Sequence, residues 1–254
     1  MRIGEIRMVD YYGELCTRIY ESNKSIAEGK ELDFFLSFVK DKNMKVLEPM
    51  CGNGRMLIPF MQEGINIEGF DISDDMLKLC KEKCGKLNLN PIIFKEKIEE
   101  FKSDKKYDLI MIPFGSFSLL PDHLVDESLG NMKSMLKNDG KLLLTIIIKK
   151  NEPEEILEWV QTNYVEFNDG TIVESKKVQF DVENNMLHTK LKYELIQENI
   201  VIKTEIMDFP MRLYEYGEFE NTLKINGFQQ VIIHEVMNGY GTGTSFKVFE
   251  CTIK

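Results

Sequence analysis

Up to residue 150 the chain alternates short, almost wholly apolar runs with stretches whose apolar residues return every three or four positions. The runs are Val46-Leu47, 65–72, 91–94, 107–112 and 141–148. The nearly continuous apolarity of 107–112 and 141–148 predicts strands covered on both faces, and 65–72, which carries Asn66, Glu68 and Asp71, reads as a strand ending on an acid. The intervening stretches read as helices. One follows Gly54 to Glu63, with Pro59 early in it and Gly64 as its stop. Another is capped by Ser73 or Asp74, carries Met76, Leu77, Cys80 and Cys84, and stops at Gly85. A third opens at Asp122 and repeats Val125, Leu129, Met132 and Leu136, ahead of an Asn138-Asp139-Gly140 turn. Five strands alternating with helices predict a parallel sheet with helices on both faces.

Residues 1–40 also read as helical, with Tyr11, Tyr12, Leu15, Ile19 and Tyr20 on one stripe and Leu32, Phe34, Phe35, Phe38 and Val39 on the next. After Lys150 the rhythm changes. Residues 152–161, with the only Trp, read as a short helix. From 171 to 214 apolar residues fall at every second position, with turns at Glu183-Asn184-Asn185 and Gln197-Glu198-Asn199. That predicts an antiparallel meander of about three strands that covers something else. A helix at 218–226, strands at 228–235 and 246–253 and a flexible glycine loop at 239–243 close the chain. The expected organisation is one domain over 1–254. It has a helical cap at 1–43, a core at 44–150 and 213–254, and a β insertion at about 165–212.

Composition narrows the class. The chain has 254 residues, 43% hydrophobic and 29% charged, and a formal net charge of −10. Such acidity argues against a nucleic-acid partner. No apolar run approaches the roughly 18 residues of a membrane span, and residues 1–7 lack a signal-peptide core. The expected location is therefore the cytoplasm. Cys80 and Cys84 lie one helical turn apart, but no second Cys or His pair completes a metal set, so reduced cysteines and no metal are expected.

Chemistry is concentrated at Val46-Leu47-Glu48-Pro49-Met50-Cys51-Gly52-Asn53-Gly54-Arg55, a strand, an acid, a glycine turn and a helix start. Such a turn lets a ligand approach backbone N–H groups. Asp71, at the tip of the next strand, is placed to hold a ribose. Two adenosine cofactors fit this arrangement. A dinucleotide wants a third glycine, which is missing, and Glu48 would repel its pyrophosphate. The same carboxylate suits the ammonium of a methionine moiety, which favours S-adenosylmethionine over NAD.

The stretch 46–72 resembles the first two motifs of the class I S-adenosylmethionine-dependent methyltransferases. The resemblance continues through 107–116, the Lys137-Asn138-Asp139-Gly140-Lys141 turn, and the final helix and strand at 218–228. It implies an α/β fold: a Rossmann-like, doubly wound, mostly parallel seven-stranded sheet with an inserted antiparallel β-sheet lid. It further implies Glu48, Gly52 and Gly54 along the methionine part and Asp71 on the ribose. Ile72, Met76 and Ile98 would lie at the adenine, and Pro113, Phe114 and Ser116 beside the sulfonium. Asn53 and Arg55 belong to the same turn, and Tyr20 is a candidate flap over the cofactor. Two positions depart from the family pattern. Met50 replaces its first glycine, and Lys97 stands where many relatives carry an acid for the adenine amine. Pro113-Phe114-Gly115-Ser116 replaces the signature of amide-methylating enzymes.

Candidate catalytic groups are His123, His188 and Tyr214, and candidate substrate contacts are Arg212 and Tyr240. His234 reads as structural. The expected function is methyl transfer to N or O of a small-molecule acceptor, by a monomer or homodimer. The alternatives are a non-catalytic S-adenosylmethionine-binding regulator and an RNA or protein methyltransferase.

Overall fold

The computed structural model describes residues 5–253. The chain begins with β1 (Glu5–Val9), α1 (Glu14–Asn23) and α2 (Gly29–Leu36). It then alternates through β2 (Lys45–Pro49), α3 (Leu57–Gln62), β3 (Asn66–Asp71), α4 (Asp74–Lys86), β4 (Ile92–Lys95) and β5 (Tyr107–Ile112). A 3-10 turn at Ser116–Leu119 leads to α5 (Asp122–Met135) and β6 (Leu136–Leu144). Four long strands follow: β7 (Ile156–Phe167), β8 (Gly170–Asp181), β9 (Met186–Gln197) and β10 (Ile200–Arg212). The chain ends with α6 (Glu218–Ile225), β11 (Gln229–Val236) and β12 (Phe246–Thr252).

Seven strands form the central sheet in the order β11-β12-β6-β5-β2-β3-β4. Its β6-β5-β2-β3-β4 part is parallel, and β12 runs antiparallel to both β6 and β11. The strand β5 shows why its sequence is apolar throughout. Ile110 and Ile112 enter one buried layer with Phe117, Leu129 and Phe249, whereas Leu109 and Met111 enter the other with Phe35, Leu57 and Phe60.

The second sheet has five strands in the order β1-β10-β9-β8-β7. Its inner face holds α1. Leu15, Cys16 and Ile19 pack against Ile172, Tyr193, Leu195 and Met207. Buried Glu205 of β10 accepts a 2.7 Å hydrogen bond from the Leu15 N–H, so the helix start is satisfied from across the sheet rather than locally. At the other end, Arg212 donates to Asp122 at 2.9 Å and to Glu218 at 2.5 Å, tying β10 to α5 and α6.

Local patterning failed in four places. Residues 5–9 are a strand, not helix, because β10 offers a parallel edge from Lys203 to Met207; residues 1–4 of the expected cap lie outside the described residues. The stretch expected as a helix at 152–161 enters β7, where Ile156 opposes Val178 and Val160 opposes Lys176. Its bulky and β-branched residues find a partner strand that short-range periodicity cannot reveal. The helix α4 continues past Gly85 to Lys86, and the left-handed residue that follows is Asn88, at φ 55°. Finally, the Asn138-Asp139-Gly140 stretch is absorbed into β6, at a shift of register against β5.

Candidate functional site

Every parallel strand delivers something to one end of the central sheet. Glu48 is the penultimate residue of β2 and is buried. The turn after it is left-handed at Met50 (φ 59°), Gly52 (φ 53°) and Gly54 (φ 78°). Asp71 closes β3 and organises that turn. Its Oδ2 accepts the Gly52 N–H at 2.8 Å and its Oδ1 accepts the Ser73 N–H at 2.9 Å. Ser73 in turn caps α4 by accepting the Met76 N–H, and its hydroxyl donates to the Tyr12 carbonyl. One carboxylate thus ties the glycine turn to a helix start.

A cavity of about 390 Å³ lies over these groups. Glu48, Met50, Gly52, Asn53, Arg55 and Asp71 line one side. Ile72, Met76, Lys97 and Ile98 line the next, and Pro113, Phe114, Ser116 and Tyr20 close it. Gly54 is absent from the wall: a Cβ there would sit 2.5 Å from Cys80 Sγ, so this glycine serves the packing of the turn on α4. A Cβ on Gly52 would meet nothing nearer than Asp71 Oδ2 at 4.0 Å and would project into open space. Lys97 lines the cavity but pairs with Glu100 at 2.7 Å. Reasoning from the sequence missed Asp10, Met207, Phe209 and Pro210, which also line it. No motif marks them; β1 and β10 bring them there from two distant parts of the chain.

The electrostatics are set by burial. It pushes the Glu48 carboxyl well above its ordinary range; the Arg55 guanidinium opposes this, and Asp71 and Glu31 add to it. Glu48 Oε2 is buried and has no hydrogen-bond partner within the protein. Burial also raises Asp71, against the N–H groups of Ser73, Gly52 and Ile72. Arg55 is held by buried Glu31 through two bonds of 2.8 and 2.5 Å.

A second cavity, of about 660 Å³, lies between α1, the inner face of the five-stranded sheet and the Phe114–Ser116 loop. Tyr12, Tyr20, Phe114, Ser116, Leu119 and Phe209 line both cavities, so the two spaces meet there. Phe114 is left-handed (φ 62°), as is Gly115 after it (φ 74°). Its ring is clamped by the Arg55 guanidinium at 4.5 Å, the Lys24 ammonium at 4.7 Å and the Tyr240 ring at 5.0 Å. Strain held by such over-determined packing is typical of a working site.

The candidate catalytic and substrate residues lie elsewhere. His123 is exposed on the first turn of α5, and His188 is exposed on β9; neither lines a cavity. Tyr214 is buried, edge-on to Phe219 at 4.9 Å, away from both spaces. Arg212 is committed to Asp122 and Glu218. Tyr240 braces Phe114 from behind, stacked on Phe246 at 4.2 Å. His234 Nε2 donates to the Glu250 carboxylate at 2.7 Å in the β11–β12 pair.

Residues 46–140 match the family model described as a methyltransferase domain. A segment of the chain is 42% identical over 80 residues to a malonyl-[acyl-carrier protein] O-methyltransferase of Ilyobacter polytropus, covering 29% of each chain. Among solved structures, an S-adenosylmethionine-dependent methyltransferase from Clostridium acetobutylicum superposes with a TM-score of 0.70, at 15% identity, over 93% of this chain and 96% of its own. The sugar N-methyltransferase KedS8 from a Streptoalloteichus species gives 0.73 at 13% identity, over 99% and 98%. The whole chain therefore has the class I methyltransferase fold. The matched segments span between 29% and 45% of the curated relatives' lengths. The matched residues contain no strand of the five-stranded sheet, so the second cavity lies largely outside the matched part.

Proposed function

We propose that this chain is an S-adenosylmethionine-dependent methyltransferase acting on nitrogen or oxygen of a small molecule in the cytoplasm. The observation that carries the reading is the meeting of two cavities at the Phe114–Ser116 loop, one of them built around Glu48 and Asp71. The residues present suit the cofactor. Glu48 Oε2 is a buried acceptor in need of a donor, which the methionine ammonium would supply. Asp71 keeps lone pairs for ribose hydroxyls beyond its two backbone bonds. Gly52 leaves backbone open to close approach. When bound, the cofactor supplies an electrophilic methyl on sulfonium sulfur. The chain's task is to hold the acceptor in line and keep water away. Tyr12, Tyr20, Phe114 and Phe209 form an aromatic collar suited to that.

An O-methyltransferase among the relatives and a sugar N-methyltransferase among the structures both lie within this reading. The second cavity favours an enzyme over a non-catalytic binder, since a regulator needs no acceptor space. Calorimetry with S-adenosylmethionine, then transfer of a tritiated methyl group to a metabolite panel, tests it. Absence of binding would refute the reading; binding without transfer to any acceptor would favour the regulator.

Two further results are expected. Because burial raises the Glu48 carboxyl and a bound ammonium favours the carboxylate, binding below that raised value should release a proton. Affinity should then rise as pH climbs through the raised pKa of the free protein, and level off above it. For the free protein the sign is opposite: Glu48 favours folding at low pH, and that contribution is lost as pH rises through its folded value. Calorimetry in two buffers of different ionisation heat measures the released proton, and Glu48→Gln should abolish the release. Second, His123→Ala and His188→Ala should each leave turnover within about twofold of the parent and stability within about 0.5 kcal/mol, since neither side chain meets a cavity.

A further inference from the structure

A hydroxyl acceptor loses its proton when it is methylated, and a neutral amine sheds one from its ammonium product. With His123 and His188 on the outer surface, another group must receive that proton. The titratable side chains lining both cavities are Tyr12 and Tyr20. Burial raises both phenols, Tyr20 to about 12, so neither is a base near neutrality. Glu174 lines only the second cavity, and its Oε1 accepts a hydrogen bond from Thr162 at 2.6 Å.

Lys24 also lines only the second cavity, but its ammonium stands against two rings that border both spaces. It follows the last turn of α1 and lines the second cavity. Its Nζ lies 4.7 Å from the centre of the Phe114 ring and 5.4 Å from that of Tyr20, the two rings that border both spaces. Among the described residues its ammonium has no ion-pair partner. It keeps an exposed flank, which gives a proton a way out to solvent.

We propose that Lys24 is the general base of the reaction, receiving the acceptor's proton where the two cavities join; this rests on the methyltransferase reading. A lone pair of the acceptor atom forms the bond to the methyl carbon, and the carbon–sulfur bonding pair stays on sulfur. The N–H or O–H proton passes to the lone pair of neutral Lys24 Nζ, and the resulting ammonium returns it to water.

The surroundings support an amine that can be neutral. Removal from bulk water lowers Lys24 below its ordinary value, and Arg55 beyond the Phe114 ring lowers it further. Glu174 on β8 and Cys16 on α1 pull the other way. Lys176 and Glu154 line the same space as a cation and an anion of opposite effect, and the ring faces of Phe114 and Tyr20 favour the ammonium.

The test uses the full chain. Competitive acetylation with acetic anhydride from about pH 6 to 11, read by peptide mass spectrometry, compares Lys24 with exposed Lys86 of α4. Lys24 should become reactive at lower pH; titration together with or above Lys86 would overturn the proposal, and this arm needs no acceptor. In parallel, tritiated methyl transfer to benzylamine and to 4-nitrophenol is followed across the same range. Lys24→Arg keeps the charge and the ring contacts but cannot act as a base. It should lose at least about 100-fold in kcat/KM near neutrality, as should Lys24→Met, and the rise of the parent's rate with pH should disappear. Both variants should bind S-adenosylhomocysteine within about twofold of the parent, because Lys24 is not part of the first cavity's wall. A Lys24→Arg variant with the parent's rate and pH profile would overturn the base role. Failure of the parent itself to bind S-adenosylhomocysteine would overturn the underlying reading instead.

Discussion

Replacing Asp71 with Ala should weaken S-adenosylmethionine binding by at least about 100-fold, leaving little for calorimetry to detect. Two losses combine. The carboxylate is the proposed ribose acceptor, and it also holds the Gly52 and Ser73 N–H groups at 2.8 and 2.9 Å. Hydrogen bonds to a charged group contribute about 1.5–3 kcal/mol each, and two kcal/mol is already a factor of about thirty. Without them the turn loses the anchor that fixes the left-handed Gly52 above the cavity. Asp71→Asn separates the effects. An amide retains one acceptor oxygen, so it can hold one backbone N–H but not both, and its affinity should fall between the other two. If Asp71→Ala binds like the parent, the cofactor assignment fails. The protein should still fold, because Ser73 itself caps α4 by accepting the Met76 N–H at 3.1 Å.

The largest effect on folding is expected at Gly54. Gly54→Ala places a Cβ 2.5 Å from Cys80 Sγ and 3.1 Å from Ile58, at a φ of 78° that L-residues rarely adopt. The backbone penalty is about 1–2 kcal/mol and the overpacking about 1–3 kcal/mol. A total loss of roughly 2–5 kcal/mol should appear as a lower urea midpoint with an unchanged slope. Adding Cys80→Ala removes the clashing sulfur but not the backbone penalty, so the double variant should recover only part of the loss. Full recovery would show that φ contributes nothing; no recovery would show that the overlap does not matter. Met50, in the same turn at φ 59°, already carries a left-handed penalty as a non-glycine, and it is retained while its side chain packs against the core.

The central sheet was readable in the chain because each of its strands is a self-contained statement. A run such as Leu109-Ile110-Met111-Ile112 has no polar face, so it can lie only between two apolar layers, and the two layers it joins are those observed. Glu48 and Asp71 were readable because a strand end followed by a glycine turn has one geometry available to it. The N-terminal segment and residues 152–161 were not readable. Both became strands because an edge of the second sheet was available, at β10 for one and at β8 for the other, and propensity is weaker than a free edge. His123 on α5 and His188 on β9 are exposed and line neither cavity, an outcome set by how those elements pack rather than by their distance from a loop in sequence.

The sequence alone determined the order of the parallel strands' chemistry: an acid, a glycine turn and a second acid, each at a strand's carboxyl end. Those are local facts, fixed by backbone geometry over ten residues or so. Only the tertiary structure decided what faces them. Lys24, Tyr20, Phe114, Glu174 and Phe209 come from a helix end, a loop and two strands of the second sheet, far apart in the chain. Their meeting depends on how α1 packs inside that sheet and how the sheet sits against the central one, contacts that no short pattern encodes. The glycine-turn wall of the first cavity is therefore written in nearly consecutive residues, and the second cavity exists only once the chain has folded.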